Sequence, residues 1–135
     1  MLTAKDIMTS HVICIHKDTP IFEAINLMVT NSITGIPVIE DDSTLVGILS
    51  EQDVLRVFNN YEDEKDKTVS DFMTQPVIHF EEDEFVEDIC NCMMQYSIRR
   101  VPITSNNHVV GVISRSDLLR QILDLQKNII KNSSF

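Results

Sequence analysis

"GILSEQD", Gly47–Asp53, returns as "GVISRSD", Gly111–Asp117, at an offset of 64 residues (111 − 47). In both, an apolar run containing a glycine ends at Ser-x-x-Asp. Such a serine can accept a bond from the backbone N–H three residues on, while the acid reaches back to the serine's own N–H. Each stretch therefore reads as a strand that turns directly into a helix. The same location also suits a ligand, because the first turn of a helix offers unpaired N–H groups and partial positive charge. Both readings stay open on these residues alone.

The repetition extends far beyond these junctions. Asp6, Met8 and Thr9 recur as Asp71, Met73 and Thr74, an offset of 65 (71 − 6). Val12, Ile13, Asn26, Met28, Ser32, Ile33 and Pro37 match Val77, Ile78, Asn91, Met93, Ser97, Ile98 and Pro102 at that offset. After a one-residue loss, Leu55 and Arg56 match Leu119 and Arg120. The chain is a duplicated unit. "NNYEDEKDK", Asn59–Lys67, is polar and lacks apolar periodicity, so it reads as the connection. The expected organisation is a first repeat over residues 1–60, a linker over 61–67, a second repeat over 68–125, and a fraying tail over 126–135.

Each repeat reads as β-α-β-β-α. "HVICI" and "PVIHF" are β-branched first strands. Helices are expected over Pro20–Thr30 and Phe85–Gln95, with Thr19 capping the first ahead of Pro20 and Asp83 capping the second. "GIPVIE" and "VPIT" are second strands, while "LVGIL" and "VVGVI" are third strands. The strand-helix-strand step implies parallel pairing, and the short turn after it implies a hairpin. The strands are apolar at nearly every position, so both faces of each small sheet should be covered. Ile21, Phe22, Ala24, Ile25, Leu27, Met28 and Val29 spread over roughly 220° of the first helix at about 100° per residue. Phe85, Val86, Ile89, Cys90, Cys92, Met93 and Met94 repeat the pattern. A helix buried deeply in one molecule or a homodimer through these helices would account for it; the dimer is the favoured expectation.

Composition narrows the function. The 135 residues carry a net charge of −10, which disfavours nucleic acid as a partner. The apolar runs are too short to span a bilayer, and the N-terminus has no hydrophobic targeting segment, so a cytoplasmic location is expected. Cys14, Cys90 and Cys92 lack the spacing of a zinc site and are read as reduced. His11, His16, His79 and His108 form no ligand pair, so no metal is expected. Only Gly35, Gly47 and Gly111 are glycines, too few for a Gly-rich phosphate loop, and no nucleophile-base pair is apparent; an enzyme is not expected.

The ordered set D-x-M-T, I-x-x-[IV]-P, a strand with a central glycine and S-x-x-D, occurring twice, resembles the CBS domain, named after cystathionine β-synthase, as a tandem pair (Bateman module). The resemblance covers almost the whole chain. It implies an α/β (α+β) fold of two β-α-β-β-α repeats packed sheet to sheet with pseudo-twofold symmetry. It also implies a regulatory, ligand-sensing role. The expected ligand is an adenosyl compound such as AMP, ADP, ATP, S-adenosylmethionine, NAD or a cyclic dinucleotide, held in the clefts between repeats. No cofactor is required. The regulated protein would act in trans, and the alternative is a structural dimerisation or scaffold module without a ligand.

The family's pattern, carried over residue by residue, gives one site with Val112 on the base and Ser114, Arg115, Ser116 and Asp117 around phosphate and ribose. Met8, Thr9, Ser10, Ile33, Thr34 and Arg99 complete it. A second, less favoured site uses Ile48, Ser50, Gln52, Asp53, Thr74 and Ile98. The preference rests on charge. Where the second repeat has Arg99, Arg100 and Arg115, the first has Thr34, Gly35 and Glu51. Arginine pairs with phosphate, and Glu51 repels it. Surface ion pairing in an acidic protein would explain the arginines equally, and Arg56 and Arg120 are candidates for bonding to neighbouring acids.

Overall fold

The structure is a computed structural model and describes residues 1–133. Its elements run α1 (Ala4–Ile7), β1 (Ile15–His16), α2 (Ile21–Asn31), β2 (Gly35–Ile39), β3 (Leu45–Ser50), α3 (Glu51–Asn59), α4 (Tyr61–Glu64), a 3-10 turn (Val69–Asp71), β4 (Phe80–Glu81), α5 (Val86–Gln95), β5 (Arg100–Ser105), β6 (His108–Ser114) and α6 (Arg115–Ser133). The fold is mixed α+β with two three-stranded sheets, β1-β2-β3 and β4-β5-β6.

The expected pairing holds. β1 lies parallel to β2, with Ile15 opposite Val38, and β4 parallel to β5, with Phe80 opposite Ile103. β2 and β3 are antiparallel, Gly35 facing Ser50. β5 and β6 are joined through Asn106 and Asn107, whose φ values of 51° and 68° are left-handed, as a tight hairpin turn requires. Asparagine tolerates that conformation better than other side chains. Consecutive residues are buried in β2 (Ile36, Pro37, Val38) and β5 (Val101 to Thr104), so both faces of these strands are covered.

The chain forms two compact units, and neither is a simple half. One contains Met1–Val12, Ile78–Asn106 and the chain from Val110 onward; the other contains Ile13–Val77 and Asn107–Val109. Each D-x-M-T segment is thus built into the body of the other copy. The cores show why. Ile21, Ala24 and Met28 of α2 pack with Ile36, Val38, Leu49, Val57, Val69 and Phe72. Ile89 and Met93 of α5 pack with Ala4, Val101, Ile103 and Ile113. Burying such a side chain contributes about 1.5–3 kcal/mol, which suffices to hold a short segment in place.

This arrangement corrects the expected helix starts. Thr19 does not cap α2; Pro20 holds that position without a side-chain bond. Asp83 does not cap α5; Phe85 does, again without one. The exposed backbone donors are satisfied by the incoming segments. The N–H of Ile21 donates to the Lys67 carbonyl at 2.9 Å, and that of Val86 to the Leu2 carbonyl at 3.0 Å.

Three further expectations change. The first strands keep only two residues each, Ile15–His16 and Phe80–Glu81. The polar connection holds a helix, α4, where the Tyr61 ring meets Phe22 edge-on at 5.6 Å and Asn60 Nδ2 donates to Asp63 Oδ2 at 2.8 Å. The expected fraying tail is the end of α6, which continues to Ser133. No glycine or proline interrupts that stretch; Ser134 and Phe135 lie outside the described residues. All three cysteines are unbridged and half-buried.

Candidate functional site

The two Ser-x-x-Asp junctions are built alike. Ser50 and Ser114 end β3 and β6, and the first residues of α3 and α6 follow at once. Both form the expected reciprocal cap. The Ser50 N–H donates to Asp53 Oδ2 at 2.9 Å and the Asp53 N–H to Ser50 Oγ at 3.3 Å. The Ser114 N–H donates to Asp117 Oδ2 at 2.8 Å and the Asp117 N–H to Ser114 Oγ at 3.2 Å.

The D-x-M-T segment completes each junction. Thr9 and Val112 exchange two backbone bonds of 2.9 Å, and Ile48 and Thr74 exchange bonds of 3.0 and 2.8 Å. Close approach needs glycine. A Cβ on Gly111 would stand 2.5 Å from Met8 Sδ and 3.0 Å from the Thr9 carbonyl oxygen; on Gly47 it would stand 2.5 Å from Met73 Sδ and 3.2 Å from the Thr74 oxygen. The threonine hydroxyl is thereby aimed at the acid. Thr9 Oγ1 donates to Asp117 Oδ1 at 3.3 Å, and Thr74 Oγ1 to Asp53 Oδ1 at 3.0 Å. That is why a Gly-x-x-Ser-x-x-Asp strand end and a D-x-M-T segment occur together. The first D-x-M-T segment has its own cap, in which the Thr3 N–H and hydroxyl donate to Asp6 Oδ2 and hold the Asp6 carboxyl below its ordinary range.

The junctions differ in the donors that reach the acid. Arg120 Nη2 donates to Asp117 Oδ1. With the bond from Ser114 Oγ at 3.0 Å, Asp117 takes four donors, about as many as an ionised carboxylate accommodates. Asp117 is 7% exposed. Asp53, half-buried, takes two, from the Ser50 N–H and the Thr74 hydroxyl. Arg56 goes elsewhere: its Nη2 donates to the Phe72 carbonyl at 2.9 Å and its guanidinium lies 5.1 Å from the Phe72 ring centre. The position equivalent to Phe72 in the other copy is Ile7, which has no aromatic face to hold Arg120.

The remaining expected residues divide between the units. With Asp117 and Thr9 stand half-buried Met8 and Val112, exposed Ser10 and Ser116, and exposed Arg99 and Arg115. The Arg115 N–H donates to the Arg99 carbonyl at 3.0 Å, and its Nε to the Ile98 carbonyl at 3.1 Å. Ile98, expected at the other site, thus sits beside Arg115. Among the described residues Arg99, Arg100 and Arg115 enter no ion pair. Thr34 and Ile33, expected with Asp117, lie in the unit that holds Asp53, where the Glu51 N–H donates to the Thr34 carbonyl at 3.0 Å. There they line a groove of about 600 Å³ with Met28, Val29, Val54 and Leu55. Gln52 is exposed. The threonine-to-aspartate bonds join residues far apart in sequence, and only the recurrence of Thr9 as Thr74 in the repeat points to them.

The family model for the CBS domain matches residues 4–60 and 69–124. The structure of Arabidopsis thaliana CBSX2 in complex with AMP is 28% identical, covers 93% of this chain and 99% of that one, and superposes with a TM-score of 0.83. The CBS domain pair of protein MJ0100, in complex with 5′-methylthioadenosine and S-adenosylmethionine, is 29% identical, with 90% and 95% coverage and a TM-score of 0.74. Inosine-5′-monophosphate dehydrogenase of Methanocaldococcus jannaschii is 34% identical over 119 residues. The chain spans 23% of that enzyme's length, and 41% and 22% of two further curated relatives from the same organism. Two matched repeats covering nearly all of its length place the chain in the CBS domain family.

Proposed function

We propose that this chain is a regulatory module that binds an adenosyl compound at the Ser114–Asp117 junction and signals to a partner protein, without catalysing a reaction itself. The observation that carries the reading is that two neighbours of the same fold were solved with adenosyl ligands. In the proposed pose Val112 packs on the base and Asp117 receives the ribose. Arg99 and Arg115, both without acidic partners among the described residues, meet phosphate with Ser114 and Ser116. Met8, Thr9 and Ser10 border the same junction.

Calorimetry with AMP, ATP, S-adenosylmethionine and NAD tests this. For the phosphorylated ligands AMP, ATP and NAD, binding that weakens more in Asp117→Ala than in Asp53→Ala is expected. No heat from any of the four at millimolar ligand would overturn it.

A second reading, a dimerisation scaffold, draws on the outer faces of α2 and α5. Ile21, Ala24 and Met28 are buried, yet Phe22 and Val29 are exposed, as are Phe85 and Met94. A homodimer through these helices would cover them. Sedimentation measures the dimer. A melting temperature indifferent to all four ligands would favour the scaffold, because specific binding raises it by mass action.

A further inference from the structure

The duplicated arginines Arg56 and Arg120 serve different ends, and the difference bears on which ligand each junction accepts. A ribose places two hydroxyl donors on a carboxylate. At Asp117 the acceptor positions already carry the Ser114 N–H and hydroxyl, the Thr9 hydroxyl and the Arg120 guanidinium. Ser114 is fixed by the cap, and Thr9 by its two backbone bonds to Val112. Arg120 is the donor that can leave. Its side chain is 66% exposed and one helical turn from the acid, so its guanidinium has solvent to swing into, at the cost of the ion pair.

We propose that Arg120 is a charge gate, making the Asp117 junction selective for phosphorylated adenosyl ligands over uncharged or cationic ones. This rests on the nucleotide reading above. A ribose that reaches Asp117 displaces the guanidinium. A ligand phosphate then takes up that guanidinium in a charge-assisted pair, together with Arg115 and Arg99. An uncharged nucleoside breaks the Arg120–Asp117 ion pair and returns nothing.

The other junction has no such gate. Arg56 is held by the Phe72 carbonyl and ring, Asp53 takes two donors, and Glu51 stands at the start of α3. Asp53 therefore accepts a ribose directly, and Glu51 turns the preference toward uncharged or cationic adenosyl compounds. One duplicated framework sorts related ligands by charge.

Calorimetry on the full chain in an Asp53→Ala background, with AMP and adenosine as probes, tests the gate. AMP should bind about tenfold or more tightly than adenosine, the scale of one charge-assisted bond. Arg120→Ala should strengthen adenosine and weaken AMP, narrowing the ratio to the part that Arg99 and Arg115 supply. Arg120→Gln should do the same if the alanine variant folds poorly. An AMP-to-adenosine ratio unchanged by both substitutions would overturn the gate while leaving nucleotide binding intact. No binding of either probe in any variant, the unmodified chain included, would overturn the gate, and the nucleotide reading would fall with it only if ATP, S-adenosylmethionine and NAD gave no heat either.

Discussion

Arg56 and Arg120 stand at the same place in the two copies, 64 residues apart (120 − 56), yet one is held by an aromatic ring and the other by a carboxylate. The D-x-M-T segments differ beside them, reading Asp71-Phe72-Met73-Thr74 in one case and Asp6-Ile7-Met8-Thr9 in the other. A phenylalanine offers a π face to a guanidinium, and an isoleucine does not. Duplication has kept the positions that fold the chain, namely the glycine, the serine, the aspartate and the threonine. Around them one apolar residue is exchanged, the equivalent arginines take different partners, and the acids differ in the number of donors they accept. Sites that share a backbone need not share a chemistry.

The largest expected effect probes what the copies have in common. Gly111→Ala and Gly47→Ala should each cost about 1–3 kcal/mol, as overpacking does, and Gly111 more than Gly47. The carbonyl oxygen in the way is 3.0 Å from the new Cβ at Gly111 and 3.2 Å at Gly47, and backbone yields less readily than the methionine ends also in contact. Urea unfolding measures both, and the reverse order would mean that the two close approaches are not the constraint described.

Next comes the asymmetry itself. Asp117→Ala should destabilise by about 2 kcal/mol and Asp53→Ala by about 1, since both lose a cap but the first strands more donors. Equal losses would show that the extra bonds from Arg120 and Ser114 Oγ contribute nothing.

A smaller effect should follow from Ile7→Phe, which gives Arg120 the aromatic neighbour that Arg56 has. The ring should draw the guanidinium away from Asp117, a preference of about 0.5–1 kcal/mol, visible as a changed Arg120 side-chain NMR signal. An unaltered signal would mean that something besides the ring directs Arg56. The smallest effect concerns Asp6. Its carboxyl is held low by the Thr3 N–H and hydroxyl, so its contribution is present above the ordinary aspartate pKa and is lost as pH falls through the depressed folded value. Carboxyl NMR titration should place its midpoint below the ordinary aspartate value, and a normal midpoint would remove the Thr3 cap from the account.

Much of the fold was legible in the residues. Apolar runs with turn residues between them marked the strands, and Ser-x-x-Asp marked two helix starts that form as written. The starts of α2 and α5 were misread because Thr19 and Asp83 are good local caps, whereas the donors there are met by the carbonyls of Lys67 and Leu2, far away in sequence. The candidate site divided the same way. Ser114, Asp117 and Thr9 come from the resemblance to the CBS domain and Arg115 from its charge, but the saturation of Asp117 is not visible there, because it depends on where the end of Arg120 comes to rest.

What the sequence alone determined was local or periodic: the duplication, the β-α-β-β-α order, the caps at Ser50 and Ser114, and the charge contrast between Glu51 and Arg115. These follow from neighbours a few residues apart or from a repeated pattern. Only the tertiary structure decided that each D-x-M-T segment is built into the other copy's body and that two equivalent arginines part company. Both depend on which distant groups come within bonding distance, and burial of Ala4, Val69 and Phe72 sets that distance.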